Sequence, residues 1–439
     1  MTTRLLCVGD LHLGRRPSRV PTGADPDEHG PAAAWRRCVE FALRRRVHAV
    51  LMAGDVVERI EDRFAAFDAL RRGVERLAEA GIQVIGVTGN HDVQALPRLA
   101  DLIPSFVLLG RGGRWEEVAL DAPDPVRVVG WSFPERHHDE SPLGELPRRA
   151  QGSALRVGLL HADLDVSGSR YAPITSGELE AADADAWLLG HVHAPSALSA
   201  AKPRGYLGSV VALDPSETGP HGPWVLEVDG GKLRFEQVPL APLRFEHRDV
   251  ELADGDLLGA LTRTMRELEA ELSGAEDAAT SVGLRVRLVG EVAAPQELAR
   301  ALDELRSAPF EHTGAGTTIF LDKISDATAP AVDLAARSER DDYPGLVAHR
   351  MLALEGGGDG RDEVLGRARK SLQREWTRIA DRLGLKDLEV DDALLEQCLR
   401  RAGSDLVAAL VAQVENRPAT AVAPGPADES DDDDGEVEE

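Results

Sequence analysis

Cysteine is scarce in this sequence, and long hydrophobic runs are missing. The chain of 439 residues has 3 cysteines, Cys7, Cys38 and Cys398, which are widely spaced and odd in number. This pattern excludes a disulfide framework and favours a reducing compartment, so we expect a cytoplasmic protein. No apolar run approaches the roughly 20 residues of a membrane span. Residues 4–8 already form a strand-like run, so neither a secretory leader nor a membrane partner is expected.

Positive charge is also in short supply. Lys and Arg total 50 against 76 Asp and Glu, which gives a formal net charge of −26 at pH 7. A nucleic-acid-binding protein usually shows the opposite balance. Part of the deficit is local, because 428–439 is mostly acidic and has no basic residue, and we expect 416–439 to be a disordered acidic tail. Bound divalent cations would restore positive charge at a phosphate site.

Four short motifs stand out because each follows an apolar run that predicts a strand. The motifs are Gly9-Asp10-Leu11-His12, Gly54-Asp55, Gly89-Asn90-His91-Asp92 and Gly190-His191-Val192-His193, and a lone His161 lies before the last of them. The apolar runs are 4–8, 48–53, 83–87, 156–160 and 186–189. Because the crevice of an α/β sheet lies at the carboxyl ends of its strands, we expect these side chains to converge there.

The residue types in these motifs suit a pair of divalent cations. Two metal ions roughly 3.5–4 Å apart can clamp the attacking and leaving oxygens of a phosphoryl transfer. Such ions repel each other, so a carboxylate should bridge them, and Asp55 stands alone at its strand end. Alternate residues of an extended segment point the same way, so Asp10 and His12 can both reach one metal ion. His191 and His193 can likewise share one ion, or each can bind a different one of the two ions. Mixed oxygen and imidazole ligands suit manganese, iron or zinc better than calcium.

The third motif offers both a ligand and a proton donor. Asn90 supplies a neutral oxygen, and His91 is left free to donate a proton to a leaving oxygen. Alone, a Gly-Asp pair, a His-X-His pair or His161 would more often be a turn, an exposed strand or a core histidine; their order favours a metal centre. Two other histidines, His137 and His138, lie in a polar loop and are expected to be solvated.

At these residues the chain resembles the calcineurin-like metallophosphoesterases, and among them the SbcD-type DNA nucleases, including the YhaO-like branch. The resemblance implies two divalent metal ions, with Mn²⁺ as the expected species. It implies Asp10, His12, Asp55 and His193 as ligands of a first ion, and Asp55, Asn90, His161 and His191 as ligands of a second. It further implies His91 as the general acid, with Asp92 as the partner of its ring.

One position departs from the family pattern. Some members carry a histidine three positions after the bridging aspartate, where it helps to orient the phosphate, whereas this chain has Glu58. We expect the metal ligands to remain in place. How the scissile phosphate is held, and the balance of exonuclease and endonuclease activity, is expected to change.

Residues 1–245 predict the phosphoesterase domain itself. Helical composition at 31–46 and 62–80 alternates with the strands. Late strands at 205–209, 224–228 and 232–238 are expected to close a second sheet. This order predicts an α/β fold, a two-sheet sandwich flanked by helices.

Length and pattern predict further domains downstream. Residues 246–326 alternate strand and helix, which indicates a small α+β domain that would correspond to the family's capping domain. Residues 327–415 are mostly helical, with a flexible Gly-rich break at 355–360. The resemblance implies that this helical region docks the coiled coil of an SbcC-like ATPase subunit, with a homodimer in the complex.

Two active functions follow from the sequence. The leading one is a two-metal-dependent DNA nuclease, an exonuclease for which endonuclease activity stays open, that processes DNA ends as part of an SbcCD-like complex. The alternative is a metallophosphoesterase acting on a small phosphodiester or phosphomonoester such as a cyclic nucleotide. An inactive scaffold is disfavoured because no expected ligand is missing.

Overall fold

The computed structural model describes residues 2–149, 154–252, 256–273, 279–314, 316–331, 333–383 and 391–415. It contains two compact units, of which the first comprises Met1–Glu251, Asp256–Leu288 and Arg300–Asp326. The remaining described residues form the second unit. The boundary expected at residue 245 falls inside the first unit, so the division into domains at that point stays a prediction.

The described residues form these strands: β1 (Thr3–Val8), β2 (Ala49–Met52), β3 (Gln83–Gly86), β4 (Phe106–Leu108), β5 (Trp115–Ala119), β6 (Val126–Trp131), β7 (Leu155–His161), β8 (Ala186–Gly190), β9 (Arg204–Tyr206), β10 (Trp224–Asp229), β11 (Lys232–Gln237), β12 (Leu243–Glu251), β13 (Ser281–Val289), β14 (Glu291–Val292), β15 (Glu311–Gly314), β16 (Thr317–Asp326) and β17 (Ala329–Pro330). The helices are α1 (Pro31–Arg45), α2 (Arg63–Glu79), α3 (Leu96–Leu102), α4 (Ser176–Ala181), α5 (Leu257–Leu272), α6 (Pro295–Ser307), α7 (Leu334–Ser338), α8 (Tyr343–Gly356), α9 (Gly358–Leu383) and α10 (Asp392–Glu415). The five strands and two helices predicted around the motifs are confirmed, with ends that differ by at most one residue.

The first sheet has the strand order β11-β10-β1-β2-β3-β4. Strands β1 to β4 are parallel, and β10 runs antiparallel to β1. The late strands 224–228 and 232–238 therefore exist, but their assignment to a second sheet is wrong. The predicted segment 205–209 overlaps β9, which does belong to the second sheet. Without β10, β1 would be an edge strand with a row of unpaired backbone groups, and β10 covers that edge.

The second sheet has the order β5-β6-β7-β8-β9 and packs against the first. Because successive side chains of a strand point to opposite faces, β1 contributes to two cores. Leu5 and Cys7 are buried between the sheets with Leu159, whereas Leu6 joins Trp35 in the core beneath α1 and α2. The predicted α/β sandwich flanked by helices is confirmed.

A third sheet, β12-β13-β16-β15, belongs largely to the first compact unit. Asp256 caps α5, because its Oδ1 accepts the backbone N–H of Gly259 at 2.9 Å. The apolar face of α5 then buries Leu261, Met265 and Leu268. The predicted strand and helix alternation is confirmed here, whereas its role as a capping domain stays a prediction.

The second compact unit contains α7 to α10 and the short pair β14–β17. Leu354, Leu365 and Leu395 form a buried cluster that joins α8, α9 and α10. The break between α8 and α9 is narrower than the expected 355–360, because only Gly357, with φ +72°, lies between the helices. The expected acidic tail, 416–439, lies outside the described residues. None of the described helices combines the length and apolarity needed to cross a membrane.

Candidate metal centre

The predicted ligands lie at the carboxyl ends of five strands drawn from both sheets of the sandwich. Strands β1, β2 and β3 of the first sheet and β7 and β8 of the second carry Asp10, His12, Asp55, Asn90, His161, His191 and His193. Two hydrogen bonds join the strand ends across the sheets: the backbone N–H of His191 donates to Asp10 Oδ1 at 2.9 Å, and His161 Nδ1 lies 3.0 Å from the Ala53 carbonyl oxygen. The structure therefore brings all of these side chains together.

Two overlapping clusters of ligand atoms form at this edge. One atom each from Asp10, His12 and His193 lie within 4.8 Å of one another, and so do atoms from Asp10, Asp55 and His161. Asp55 Oδ2 lies 3.8 Å from His12 Nε2 and 3.3 Å from His161 Nε2. The carboxylate of Asp55 thus stands between the two groups, where a bridging ligand belongs.

The remaining predicted ligands converge on the second group. Asn90 Oδ1 is 3.0 Å from His161 Nε2 and 3.2 Å from His191 Nδ1, and these two ring nitrogens are 3.2 Å apart. His191 therefore presents Nδ1 to the centre, whereas His161 presents Nε2. The grouping matches the set expected around a second ion, and its role as a ligand set stays a prediction.

Unpartnered atoms and charge both fit a cationic occupant. Among the described residues, Asp10 Oδ2 and His12 Nε2 are buried without a hydrogen-bond partner, which is costly unless another group satisfies them. Burial lowers the pKa of His161, but the Asp55 carboxylate, helped by Asp10, outweighs burial and raises it to about 9. This negative field would stabilise a cation. The donor set therefore fits divalent metal ions, which the seven residues above would hold.

Carboxylates outside the ligand set hold two of the histidines. His12 Nδ1 lies 2.8 Å from Glu58 Oε2, and His193 Nδ1 lies 2.7 Å from Glu217 Oε1. Each carboxylate favours the tautomer with a proton on Nδ1, which would leave Nε2 as the ligand atom. The resemblance led us to relate Glu58 to the phosphate, whereas in the structure it orients a predicted metal ligand.

The other two histidines are held in the same way by different acceptors. His191 Nε2 lies 3.2 Å from Asp163 Oδ1, and His161 Nδ1 faces the Ala53 carbonyl oxygen. Sequence reasoning missed both Asp163 and Glu217. The position of Asp163, two residues beyond His161 at a strand end, is a signal that could have found it. Glu217 lies in an irregular loop after β9 and has no such signal.

His91 and Asp92 have different partners from those expected. His91 Nδ1 lies 3.3 Å from the Glu58 carbonyl oxygen, and the backbone N–H of His91 donates to Asp55 Oδ1 at 3.0 Å. The Asp92 carboxylate is buried and accepts backbone N–H groups of Gly89 at 2.8 Å and Val56 at 2.7 Å. The expected pairing of Asp92 with the His91 ring is therefore wrong, because Asp92 instead ties two ligand-bearing loops together.

Backbone strain is concentrated at the ligands. Positive φ angles occur at Asp10 (37°), His12 (49°), Asp55 (48°) and His191 (104°). For residues other than glycine such conformations cost of order 1–3 kcal/mol each and persist where the surroundings impose them. The preceding Gly54, at φ +91°, has no room for a side chain, since a Cβ would lie 2.7 Å from His161 Nδ1. The motif glycines thus permit the close approach of the strand ends.

A two-sheet sandwich with carboxylate, imidazole and amide ligands at its carboxyl edge defines a metal-dependent phosphoesterase. Residues 3–195 match the calcineurin-like phosphoesterase family, so this part of the chain is a calcineurin-like metallophosphoesterase domain. The chain is accordingly a hydrolase that acts on phosphate esters with divalent metal ions.

Three relatives are similar to this chain over about two thirds of its length. The metallophosphoesterase YhaO of Bacillus subtilis is 27% identical over 285 residues, which are 63% of this chain and 68% of that protein. The DNA double-strand break repair protein Mre11 of Aeropyrum pernix is 27% identical over 292 residues, 62% of this chain and 70% of that protein. Mre11 of Haloferax volcanii is 27% identical over 305 residues, 64% of this chain and 61% of that protein.

Removing the carboxylate that orients His193 is expected to weaken metal binding. In a Glu217→Ala variant the ring loses its acceptor, and losses of such outer partners typically lower metal affinity about 10–100-fold. Glu217→Gln keeps the shape and an acceptor oxygen, so it should restore part of the affinity. Calorimetric titration of each purified variant with Mn²⁺ measures the metal affinity. Glu267→Ala, at an exposed position on α5, is the matched control. Equal affinity in Glu217→Ala and in the control would refute the orienting role.

Proposed function

We propose that this chain is a two-metal-dependent DNA nuclease that hydrolyses phosphodiester bonds during DNA end processing. The observation that carries the proposal is the position of Asp55 Oδ2 between His12 Nε2 and His161 Nε2, one from each predicted ligand group, in a domain whose relatives include two Mre11 proteins. Divalent ions at such a centre polarise the phosphate and lower the cost of developing negative charge. Mn²⁺ is the ion we propose on the basis of the family resemblance, and the mixed oxygen and imidazole ligands are compatible with it, as they are with iron and zinc.

The residues of the chain would divide the remaining work. The contact of His91 Nδ1 with the Glu58 carbonyl oxygen orients the His91 ring. Nε2 is then left to give a proton to the leaving oxygen. Asp92 keeps the loops of Asp55 and Asn90 at a fixed separation through its bonds to Val56 and Gly89. The phosphate would thus meet a preorganised set of groups at the open edge of the sandwich.

The proposal is tested with the purified full chain on end-labelled duplex DNA in the presence of Mn²⁺. We expect shortened products that disappear when a chelator is added, and closed circular DNA reports any endonuclease activity. A cyclic nucleotide and a phosphomonoester serve as competing substrates. Turnover of these small esters without cleavage of DNA would replace the proposal with the alternative, a small-substrate phosphoesterase.

We further propose an SbcC-like coiled-coil ATPase as partner, with a homodimer of this chain in the complex. The helices of the second compact unit expose apolar side chains, including Leu394 (50% exposed) and Leu406 (48% exposed) on α10. Exposed apolar side chains on a helix fit a helix-in-groove contact. A cytoplasmic location also belongs to this proposal and rests on three free cysteines, Cys7, Cys38 and Cys398.

Charging two exposed leucines of α10 is expected to abolish partner binding without loss of nuclease activity. The full chain with Leu394→Glu and Leu406→Glu places two charges in the proposed apolar contact, where an unpaired buried charge is costly. Co-purification with the SbcC-type ATPase from the same genome measures binding. Leu258→Glu, at a 56% exposed position on α5, is the control. Undiminished co-purification of the double variant would remove α10 from the interface.

A further inference from the structure

Histidines outside the predicted ligand set differ in how far the fold encloses them. His137 is exposed, as expected. The centroids of the His138 and Trp131 rings are 5.0 Å apart and His138 is half-buried, so the expectation that it is solvated is wrong. His29 and His221 are buried, with 8% and 2% of their surfaces exposed. A buried imidazole needs hydrogen-bond partners, and those of His221 lead to the metal centre.

The His221 ring contacts two other residues of the segment between β9 and β10. Its Nδ1 lies 3.0 Å from Ser209 Oγ and 3.1 Å from the Ser209 carbonyl oxygen. Because a carbonyl oxygen can only accept, the proton of the neutral ring belongs on Nδ1. Burial lowers the pKa of His221 and outweighs its contacts with the backbone of Ser209 and Glu217, which raise it. The ring is therefore a neutral hydrogen-bond donor that contacts both residues.

Ser209 and Glu217 each hold His193, a predicted ligand. The backbone N–H of Ser209 donates to the His193 carbonyl oxygen at 2.9 Å, whereas Glu217 Oε1 lies 2.7 Å from His193 Nδ1. The second carboxylate oxygen, Glu217 Oε2, accepts the backbone N–H of Leu213 at 2.8 Å, which fixes the carboxylate itself. One contact thus sets the main chain of His193 and the other sets its ring, and the two contacts meet at His221.

We propose that His221 is a positioning residue of the metal centre, which acts through Ser209 and Glu217 to hold His193 in place. Without this anchor, His193 would have to become ordered when the metal ion binds, and the cost of ordering lowers the affinity. The loss should fall on the ion of the first predicted ligand group, to which His193 belongs. The second group does not include His193 and should keep its ion. The inference rests on the two-metal centre of the proposed function.

Two substitutions in the full chain separate the hydrogen bond of the ring from its volume. His221→Leu fills a similar space without a donor, whereas His221→Asn places an amide N–H close to the former position of Nδ1. His29→Leu is the matched control, because the His29 ring is also buried and its Nε2 lies 2.8 Å from a serine hydroxyl, that of Ser281. Its partners, Ser281 and the Asp25 carbonyl oxygen, lie outside the predicted ligand set.

Calorimetric titration with Mn²⁺ gives the affinity of each ion. We expect His221→Leu to lower the affinity for one of two ions about 10–100-fold, the usual effect of losing an outer partner of a ligand. His221→Asn should regain most of that affinity, and His29→Leu should bind both ions as the wild type does. Unchanged affinity in a His221→Leu chain that melts cooperatively in the presence of a chelator would overturn the positioning role.

The dependence of activity on Mn²⁺ concentration separates positioning from a loss of folded protein. With bis(p-nitrophenyl) phosphate, His221→Leu should need about 10–100-fold more Mn²⁺ for its half-maximal rate and approach the wild-type kcat at saturation. A lower kcat at an unchanged half-saturating concentration would show a purely structural role. If His221→Leu does not fold, His221→Gln replaces it, because its amide extends past the Nδ1 position. Wild-type affinity in His221→Gln would then overturn the proposal.

A double variant and a DNA substrate add independent measures. The losses of Mn²⁺ affinity in His221→Leu and Glu217→Ala should not add in full, because both act on His193. Full additivity would overturn the path through Glu217. If the wild type binds two Mn²⁺ ions but leaves DNA intact, the nuclease proposal fails, and the affinity of His221→Leu still decides the positioning role. If the wild type cuts DNA and His221→Leu binds Mn²⁺ normally, the positioning role is wrong and the nuclease proposal stands.

Discussion

Replacing Asp55 with asparagine is expected to abolish hydrolysis while the fold survives. The Asp55 carboxylate stands between the two ligand groups, with Oδ2 3.8 Å from His12 Nε2 and 3.3 Å from His161 Nε2. Asparagine has nearly the same shape, and its oxygen can still accept the backbone N–H of His91. It lacks the negative charge that would offset two closely spaced dications, whose repulsion then opposes joint binding. Of the substitutions considered, Asp55→Asn is therefore expected to have the largest effect on metal binding and activity.

Three measurements on Asp55→Asn separate chemistry from folding. Hydrolysis of bis(p-nitrophenyl) phosphate with Mn²⁺ gives activity, calorimetry gives the number of bound ions, and thermal melting reports the fold. We expect activity at background, fewer bound ions and a melting temperature close to that of the wild type. Asp101→Asn is a control of the same chemistry, because Asp101 forms an exposed pair with Arg111 that contributes little. Near-normal turnover in a well-folded Asp55→Asn chain would refute the bridging role.

Local sequence signals were sufficient for the part of the centre that lies directly at strand ends. Gly9-Asp10 and Gly54-Asp55 follow apolar runs, and parallel strands place their carboxyl ends at a common edge. The glycines, needed for close approach, are visible in the sequence as well. Each ligand could therefore be located from its own short segment, without knowledge of the rest of the fold.

The outer partners of the ligands depend on tertiary structure. Glu217 reaches His193 from an irregular loop whose path is set by packing. Asp92 was assigned to its neighbour in sequence, but adjacent residues at a turn point apart, and its carboxylate reaches back to Gly89 and across to Val56. The strand β10 was likewise assigned to the wrong sheet, because an apolar run shows that a strand is buried but not which edge it covers.

Glu58 contacts both a predicted metal ligand, His12, and the predicted general acid, His91. Its side chain orients the His12 ring while its backbone carbonyl oxygen faces His91 Nδ1, so one residue sets the orientation of two histidines. The rings of His12 and His91 lie 5.2 Å apart in an edge-on arrangement. Atoms of His12, Glu58 and His91 also lie within 4.8 Å of one another. This cluster gives His91 a second candidate role, that of a metal ligand. Activity and metal stoichiometry of a His91 variant distinguish these two roles.

Replacing His91 with alanine is expected to reduce turnover about 10²–10⁴-fold, the usual contribution of a general acid or base. The backbone N–H of His91, which donates to Asp55 Oδ1, is retained in the variant, so the Asp55 carboxylate keeps this contact. We therefore expect unchanged metal stoichiometry in calorimetry. His247→Ala, at an exposed position on β12, controls for loss of an imidazole elsewhere.

The leaving group distinguishes a proton donor from a ligand. A p-nitrophenolate departs without protonation, whereas the alkoxide of a nucleoside requires a proton, so loss of a general acid affects the second far more than the first. His91→Ala should therefore cut DNA or a dinucleotide poorly while it retains much of its activity on bis(p-nitrophenyl) phosphate. Loss of a metal ion would lower both activities together, because both esters need the same polarised phosphate. An equal decrease for the two leaving groups, accompanied by a lost ion, would assign His91 to the metal.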